Sequence, residues 1–262
     1  MARDVVDDRL IGALHVRALT RAGFDHDAGA THLVVQTGTV AALIDGHYDG
    51  DLTIGELLER VDHGIGTLQG LDGELAIVDG EAWVAHADRR VTRVPPQTKT
   101  PFAVTCRFDA TVTHPLREPH SLAQLVASID RIAPRDEPVV AVRVDGRFES
   151  LRLRSVAAQH PPYPPLAEVV SHQTEWTVEA ATGSIVGFRF PDASSGIEVA
   201  GYHLHFLSED REVAGHVLGL TLLAGTALVD GAHELHVEVP AGLTLGEPGA
   251  LAEEIHAVEG GA

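Results

Sequence analysis

Cysteine is almost missing from this sequence of 262 residues. Its one cysteine, Cys106, rules out a disulfide within the chain, and nothing else in the composition indicates an oxidising compartment. Long apolar runs are missing as well, since the longest weakly polar stretch, residues 217–229, includes Gly and Thr and is too short to cross a bilayer. Residues 1–8 alternate charged and apolar side chains, unlike a signal peptide. We therefore expect a cytoplasmic protein.

Basic residues are also scarce. The chain has 19 Lys and Arg against 38 Asp and Glu, which gives a formal net charge of −19. Nucleic acids and anionic membranes are bound by basic patches, so we expect neither as a partner. The hydrophobic fraction of 44% is typical of a globular protein, and the length suits one large domain or two small ones.

The first part of the chain mixes strand and helix signals. Residues 31–43 are rich in Val and Thr and predict a strand. Thr53 and Glu56 have the spacing of a capping box, which predicts a short helix over residues 54–60. Residues 8–19 carry apolar side chains at helical spacing and predict a second short helix.

Further along, Asp-Gly pairs at residues 72–73 and 79–80 are typical of tight turns. They flank an apolar segment, residues 74–78, and so predict a meander of short antiparallel strands. Residues 121–132 carry one apolar stripe and begin with the capping box Ser121 and Gln124, which predicts the clearest helix of the chain.

The second part of the chain carries mainly strands and turns. Residues 139–154 predict two strands about an Asp145-Gly146 turn. The expected fold class is α+β, predominantly β. We expect a mixed α/β sheet domain over residues 1–155 and an antiparallel barrel-like, metal-binding domain over residues 156–262, closed by a helix at residues 249–258.

Three histidines indicate a metal site. His203 and His205 are two apart on a predicted strand, so their side chains project from the same face. The charged residues 208–212 predict a turn, and the return strand brings His216 level with them. Three imidazoles with no thiolate are the ligands of a catalytic divalent-metal site that keeps a coordination position open. Three ring nitrogens on one buried face would otherwise be unfavourable.

Other interpretations of the histidines stay open. The chain has 16 His, and pairs such as His233 and His236 are more often surface features than ligands. His203-x-His205 with Glu209 four residues on also resembles the first metal motif of cupins. That alternative predicts a dioxygenase or isomerase with His203, His205, Glu209 and His216 as ligands; a non-enzymic sensor or metal-storage module is a third possibility.

Several blocks together resemble the bacterial α-acetolactate decarboxylases, in collinear order over about residues 30 to 260. The blocks are Tyr48-Asp49-Gly50, Thr53-Ile54-Gly55-Glu56-Leu57-Leu58, Gly64-Ile65-Gly66-Thr67, Leu71-Asp72-Gly73-Glu74, Pro101-Phe102-Ala103-Val104-Thr105, Pro162-Tyr163-Pro164-Pro165-Leu166, Gly183-Ser184-Ile185-Val186-Gly187-Phe188, Gly201-Tyr202-His203-Leu204-His205-Phe206 and Gly215-His216-Val217. The resemblance implies a mixed-sheet domain followed by an antiparallel barrel, assembled as a homodimer. It also implies Zn²⁺ bound by His203, His205 and His216.

The resemblance further implies which residues act on the substrate. Glu74 matches the catalytic glutamate of the family, Arg154 its active-site arginine, and Thr67 a threonine that lines the pocket near the glutamate. On spacing alone, Glu74 would be an ordinary solvated residue at a strand end. Arg154 would equally suit an ion pair at a barrel rim, and Arg143 or Arg152 are alternative positions for the arginine.

The family also has a carboxylate from its C-terminal tail. Glu259 is the best match, with Glu253 and Glu254 as alternatives. The implied reaction is decarboxylation of 2-acetolactate, a 2-hydroxy-3-oxo acid, to acetoin and carbon dioxide through a metal-bound enediolate. Glu74 would supply the proton and Arg154 would orient the carboxylate.

Overall fold

The computed structural model describes residues 5–20, 31–118 and 120–239, and the fold is given for these ranges. The strands are β1 (Val5–Ile11), β2 (Leu14–Leu19), β3 (Leu33–Thr37), β4 (Leu52–Thr53), β5 (His63–Thr67), β6 (Glu74–Val78), β7 (Glu81–Ala85), β8 (Val91–Arg93), β9 (Lys99–Thr100), β10 (Phe102–Cys106), β11 (Val112–Leu116), β12 (His120–Ser121), β13 (Val139–Ser155), β14 (Thr174–Phe190), β15 (Gly201–Ser208), β16 (Ala214–Ala232) and β17 (Glu234–Glu238). The α-helices are α1 (Val40–Ile44), α2 (Ile54–Leu58), α3 (Leu122–Ile132) and α4 (Leu166–Val170).

The first sheet has nine strands and is mixed. Its order is β1-β2-β17-β3-β10-β5-β6-β7-β8. Strand β17 runs parallel to both of its neighbours, β2 and β3, whereas β10, β5, β6, β7 and β8 pair antiparallel. The prediction of a mixed sheet is therefore confirmed.

The second sheet is antiparallel and closes on itself. Its order is β11-β16-β13-β14-β15, and β15 pairs in turn with β16. The four long strands β13, β14, β15 and β16 thus form a ring, in agreement with the barrel-like prediction. Irregular register between β13 and β16 near Arg147 and Arg152 marks bulges, which bend strands of this length.

The predicted capping boxes and the Asp79-Gly80 turn are confirmed. Thr53 and Glu56 form the capping box of α2, and Ser121 and Gln124 form that of α3. The turn between β6 and β7 has positive φ at Asp79 (52°) and at Gly80 (75°), as Asp-Gly turns in hairpins require.

Two predictions of secondary structure are wrong. Residues 8–19 are not helical, because Leu14, Val16 and Ala18 are buried in alternation and place β2 on the sheet, paired with β1. Residues 139–155 form one strand instead of two, because β14 and β16 bond to it on either side and carry it straight through Asp145-Gly146. The strand predicted at residues 31–43 ends at Thr37, where α1 follows.

Three apolar clusters hold the layers together. One lies between the two sheets and includes Ile65, Phe188 and Val237. A second lies on the other face of the second sheet, where helix α3 packs through Leu125 and Ile129. The third lies under α2, on the outer face of the first sheet. The space between the sheets is therefore mainly apolar.

The two sheets are not built from two successive parts of the chain. Strands β11 and β13 join the second sheet, whereas β17 joins the first. The division into residues 1–155 and 156–262 stays a prediction, and the helix expected at residues 249–258 lies outside the described residues. The longest described helix, α3, has 11 residues, and no described helix is long and apolar enough to span a membrane.

Candidate functional site

Two neighbouring strands bring three imidazoles together. His203 and His205 lie on β15, and His216 lies opposite His205 on β16. One ring nitrogen of each residue lies within 4.8 Å of those of the other two. The predicted turn over residues 208–212 is the hairpin that returns the chain to this register. In the described part of the chain, this is the one group of three or more His, Cys, Asp or Glu that meets such a distance limit.

The alternation of β15 separates the histidines from its apolar side chains. Leu204 and Phe206 pack into the cluster beneath α3, whereas His203 and His205 face the first sheet. All three imidazoles are buried, with exposed fractions of 7%, 1% and 4% for His203, His205 and His216. The three rings therefore share one buried space between the sheets.

A contact from the first sheet fixes the orientation of His205. Its Nδ1 lies 2.6 Å from the carbonyl oxygen of Leu75 on β6, so Nδ1 is the donor and Nε2 is left as an acceptor. That buried Nε2 makes no hydrogen bond to any described residue. A backbone carbonyl on one nitrogen and an open lone pair on the other is the usual arrangement of a metal-bound histidine. The donor set therefore fits a divalent cation.

The electrostatics of the site keep the imidazoles of His205 and His216 neutral. Burial is the main reason why the pKa values of His205 and His216 lie well below the usual value of 6.5. The positive charge of Arg154 and the neighbouring imidazoles lower both values further. Neutral imidazole is the form that binds a metal, so the site needs no proton loss near neutral pH.

Glu74 brings a carboxylate to the same place. It begins β6 directly after Gly73, whose φ of +84° and close approach to the Ala85 carbonyl suit glycine alone. Its Oε2 lies 3.3 Å from Nε2 of His205. Thr67 pairs with Glu74 across β5 and β6, and its hydroxyl donates to the Gly73 carbonyl at 2.8 Å. The turn that places Glu74 is thus held by Thr67.

Arg154 supplies the positive charge of the site. It lies opposite His216 on β13, is 4% exposed, and donates from Nη1 to Oε1 of Gln173 at 3.1 Å. The two alternative arginines lie elsewhere: Arg143 bonds to Asp79 and Asp145, and the exposed Arg152 approaches Glu175. Of the three arginines, Arg154 is the one that reaches the histidines.

A cleft of about 50 Å³, partly open to solvent, adjoins the histidines. Its polar wall is formed by Thr67, Glu74, Arg154 and His203. Its apolar wall comes from α1, α4 and nearby strands, and consists of Val40, Leu43, Leu71, Phe102, Val156, Leu166, Val170 and Val199. The cleft therefore offers charge and hydrogen bonds on one side and a hydrocarbon surface on the other.

The remaining predicted site residues are glutamates. Glu209 lies in the exposed hairpin turn after β15 and does not join the three-imidazole group. Glu259, Glu253 and Glu254 lie outside the described residues.

Sequence reasoning missed the Leu75 carbonyl and the apolar wall. Neither has a local signal, because a backbone oxygen belongs to every residue type and the wall is assembled from distant segments.

The comparisons with known proteins agree with the resemblance noted in the sequence. A profile described as alpha-acetolactate decarboxylase matches residues 34–245. The alpha-acetolactate decarboxylase of Methylococcus capsulatus is 41% identical over 209 residues, which is 80% of each chain. That of Methanosarcina mazei is 38% identical over 217 residues, which is 83% of this chain and 75% of the relative.

Solved structures show the same relationship. The crystal structure of alpha-acetolactate decarboxylase from Bacillus subtilis strain 168 matches with a TM-score of 0.82 and 32% identity, over 88% of this chain and 100% of that one. A Staphylococcus aureus protein of unknown function, described as similar to alpha-acetolactate decarboxylase, matches with a TM-score of 0.81 and 30% identity, over 86% and 99% of the two chains. The chain therefore belongs to the alpha-acetolactate decarboxylase family.

Proposed function

We propose that this protein is a zinc-dependent carboxy-lyase that converts 2-acetolactate to acetoin and carbon dioxide. The observation that carries the proposal is the convergence of three buried imidazoles, a carboxylate and a guanidinium beside one cleft, in a chain of this family. The substrate is inferred from the names of the relatives. The side chains of the site suit the chemical groups of that substrate.

His203, His205 and His216 would hold the metal through one ring nitrogen each. Three nitrogen ligands leave room for substrate oxygens, as catalytic zinc sites require. A bound Zn²⁺ would act as a Lewis acid that draws electron density toward the oxygens on C2 and C3 of the substrate. Zinc is proposed because an all-imidazole set without thiolate or exposed carboxylate suits it.

Arg154 would bind the carboxylate of 2-acetolactate. The planar guanidinium offers paired N–H donors that match a carboxylate, and burial strengthens the attraction. The bond to Gln173 fixes the orientation of the guanidinium before substrate enters. Because carbon dioxide is neutral, this attraction falls as the carbon–carbon bond breaks, and Arg154 then retains the developing negative charge in the cleft.

Glu74 would deliver the proton that replaces carbon dioxide on C2. Its carboxylate is mostly buried and lies next to His205, so it can reach a substrate bound at the histidines from one side only. Delivery from one side gives a single enantiomer of acetoin. Thr67 would keep Glu74 in place through the Gly73 turn and form the adjoining wall.

The apolar wall would receive the two methyl groups of the substrate. Side chains such as Leu43, Leu166 and Val199 would leave little room for water beside a bound substrate. Exclusion of water protects the carbon on which charge develops from uncontrolled protonation and strengthens the interactions with Arg154 and Glu74. Glu259 is proposed, from the family resemblance alone, as a further carboxylate of the site.

Assembly and location are part of the proposal. A homodimer rests on the family resemblance and would be tested by size-exclusion chromatography with light scattering. A cytoplasmic location is consistent with the free thiol of Cys106, which is buried between the sheets.

The decisive experiment measures carbon dioxide and acetoin released from racemic 2-acetolactate by the purified protein. Activity should disappear after chelation and return with Zn²⁺. Protein that holds about one zinc per chain yet releases neither product would refute the proposed substrate. Activity that survives complete removal of metal would refute the proposed metal dependence.

A further inference from the structure

Glu198 is a buried carboxylate beside the three-histidine centre. It has no role in the proposed reaction. Its residue is 0% exposed, and its Oε1 lies 4.0 Å from Nδ1 of His203. Carboxylates are seldom buried unless a charged or hydrogen-bonding group compensates for the lost water. The next residue, Val199, lines the cleft, so the glutamate lies directly behind its wall.

The segment that carries Glu198 is held rigidly. The backbone amide of Val199 donates to Oε1 of Glu198 at 3.1 Å. The Ile197 carbonyl accepts bonds from Nε2 of the buried Gln36 at 2.8 Å and from the amide of Val40 at 3.2 Å. The amide of Glu198 itself donates to the Ser194 carbonyl at 3.2 Å. The backbone next to the carboxylate is thus held by β3, α1 and the Ser194 carbonyl.

His205 shows how a hydrogen-bond acceptor can orient an imidazole at this centre. Its Nδ1 is fixed by the Leu75 carbonyl, which leaves Nε2 for a metal. Nδ1 of His203 has Glu198 as its neighbour at 4.0 Å, so the carboxylate oxygen has to approach by about 1 Å to accept a hydrogen bond. A carboxylate in this position also places a negative charge close to the cation and makes the imidazole more basic.

We infer that Glu198 is a positioning residue for the metal: it accepts a hydrogen bond from Nδ1 of His203, which turns Nε2 of His203 toward the divalent cation and raises the affinity of the centre. This inference rests on the proposed metal site. It concerns metal affinity and is independent of which substrate the protein uses.

The test is zinc affinity, measured on metal-free protein by competition with a chromophoric chelator. Glu198→Gln keeps the size of the side chain but removes its charge, and we expect binding to weaken by about 10- to 100-fold. Glu209→Gln is the matched control, because Glu209 is an exposed glutamate one hairpin turn away, and it should bind zinc like the wild type. The melting temperature of metal-free Glu198→Gln should stay close to that of the wild type.

The outcomes separate the inference from the proposed function. Wild-type protein that binds no zinc would remove the metal site and the inference together. Zinc binding that is equal in wild type and Glu198→Gln would overturn the inference alone. If Glu198→Gln does not fold, Glu198→Asp takes its place, since the charge then lies one methylene further from His203 and affinity should fall several-fold. Unchanged affinity in that variant would equally overturn the inference.

Discussion

Replacement of Glu74 by Gln should stop proton delivery while the cleft keeps its shape. The side chain is mostly buried, its Oε2 lies 3.3 Å from His205, and the Gly73 turn sets its direction. Glutamine has the same size and still fills the space, but it has no proton to give. Proton transfer by a placed side chain contributes about 10²- to 10⁴-fold, so we expect kcat to fall by this factor. That corresponds to about 3–5 kcal/mol of activation free energy.

The assay should follow both products and their stereochemistry. Acetoin formed by Glu74→Gln should lose enantiomeric purity, because water then supplies the proton from either side. Glu81→Gln is the matched control, since Glu81 lies on the neighbouring strand β7, is partly exposed and pairs with Arg93 at 3.1 Å. A kcat for Glu74→Gln within a factor of about three of the wild type would refute the role, because it is below the least that proton transfer contributes.

Three further predictions concern the metal, the arginine and pH. Zn²⁺ at 100 times its dissociation constant should stabilise the protein by about 2.7 kcal/mol, which scanning calorimetry should record as a rise in melting temperature; an unchanged value would contradict the metal site. Arg154→Lys should lower kcat/KM by about 10- to 100-fold through the loss of a charge-assisted hydrogen bond, while Arg152→Lys should match the wild type in the same assay. Burial lowers the pKa of His63 from 6.5 to about 4, so as the pH falls below 6.5 the unfolded chain binds the proton first and stability is lost progressively toward pH 4. Between pH 7 and pH 5 the free energy of unfolding, measured with urea, should fall by about 2 kcal/mol because of His63. His63→Gln should reduce the pH dependence by that amount. An equal pH dependence in the two proteins would contradict this role of His63.

The sequence predicts the local parts of the site well. Strand alternation places His203 and His205 on one face, and the charged turn after them brings His216 into register, because each step depends on neighbours in the chain. The capping box at Thr53 and the Asp79-Gly80 turn follow the same logic. These features are confirmed because their hydrogen bonds are made within a few residues.

Features that depend on contacts between distant segments of the chain could not be predicted from the sequence. Asp145-Gly146 is a good turn sequence, yet β13 continues through it because strands on both sides supply its hydrogen bonds. The family resemblance favoured Arg154 and left Arg143 and Arg152 as alternatives, and the packing of the two sheets distinguishes their surroundings. The orientation of His205 depends on a carbonyl 130 positions away in the chain, for which no residue type is a signal.

The position of β17 between β2 and β3 has a consequence for biosynthesis. Among the described strands, β17 alone joins the β1–β2 hairpin to the rest of the first sheet. While the ribosome makes the intervening chain, this hairpin therefore has no strand to dock on, and β3 presents an open edge. Pairings between such distant segments form late. The described first sheet can therefore be completed only after β17 has been made.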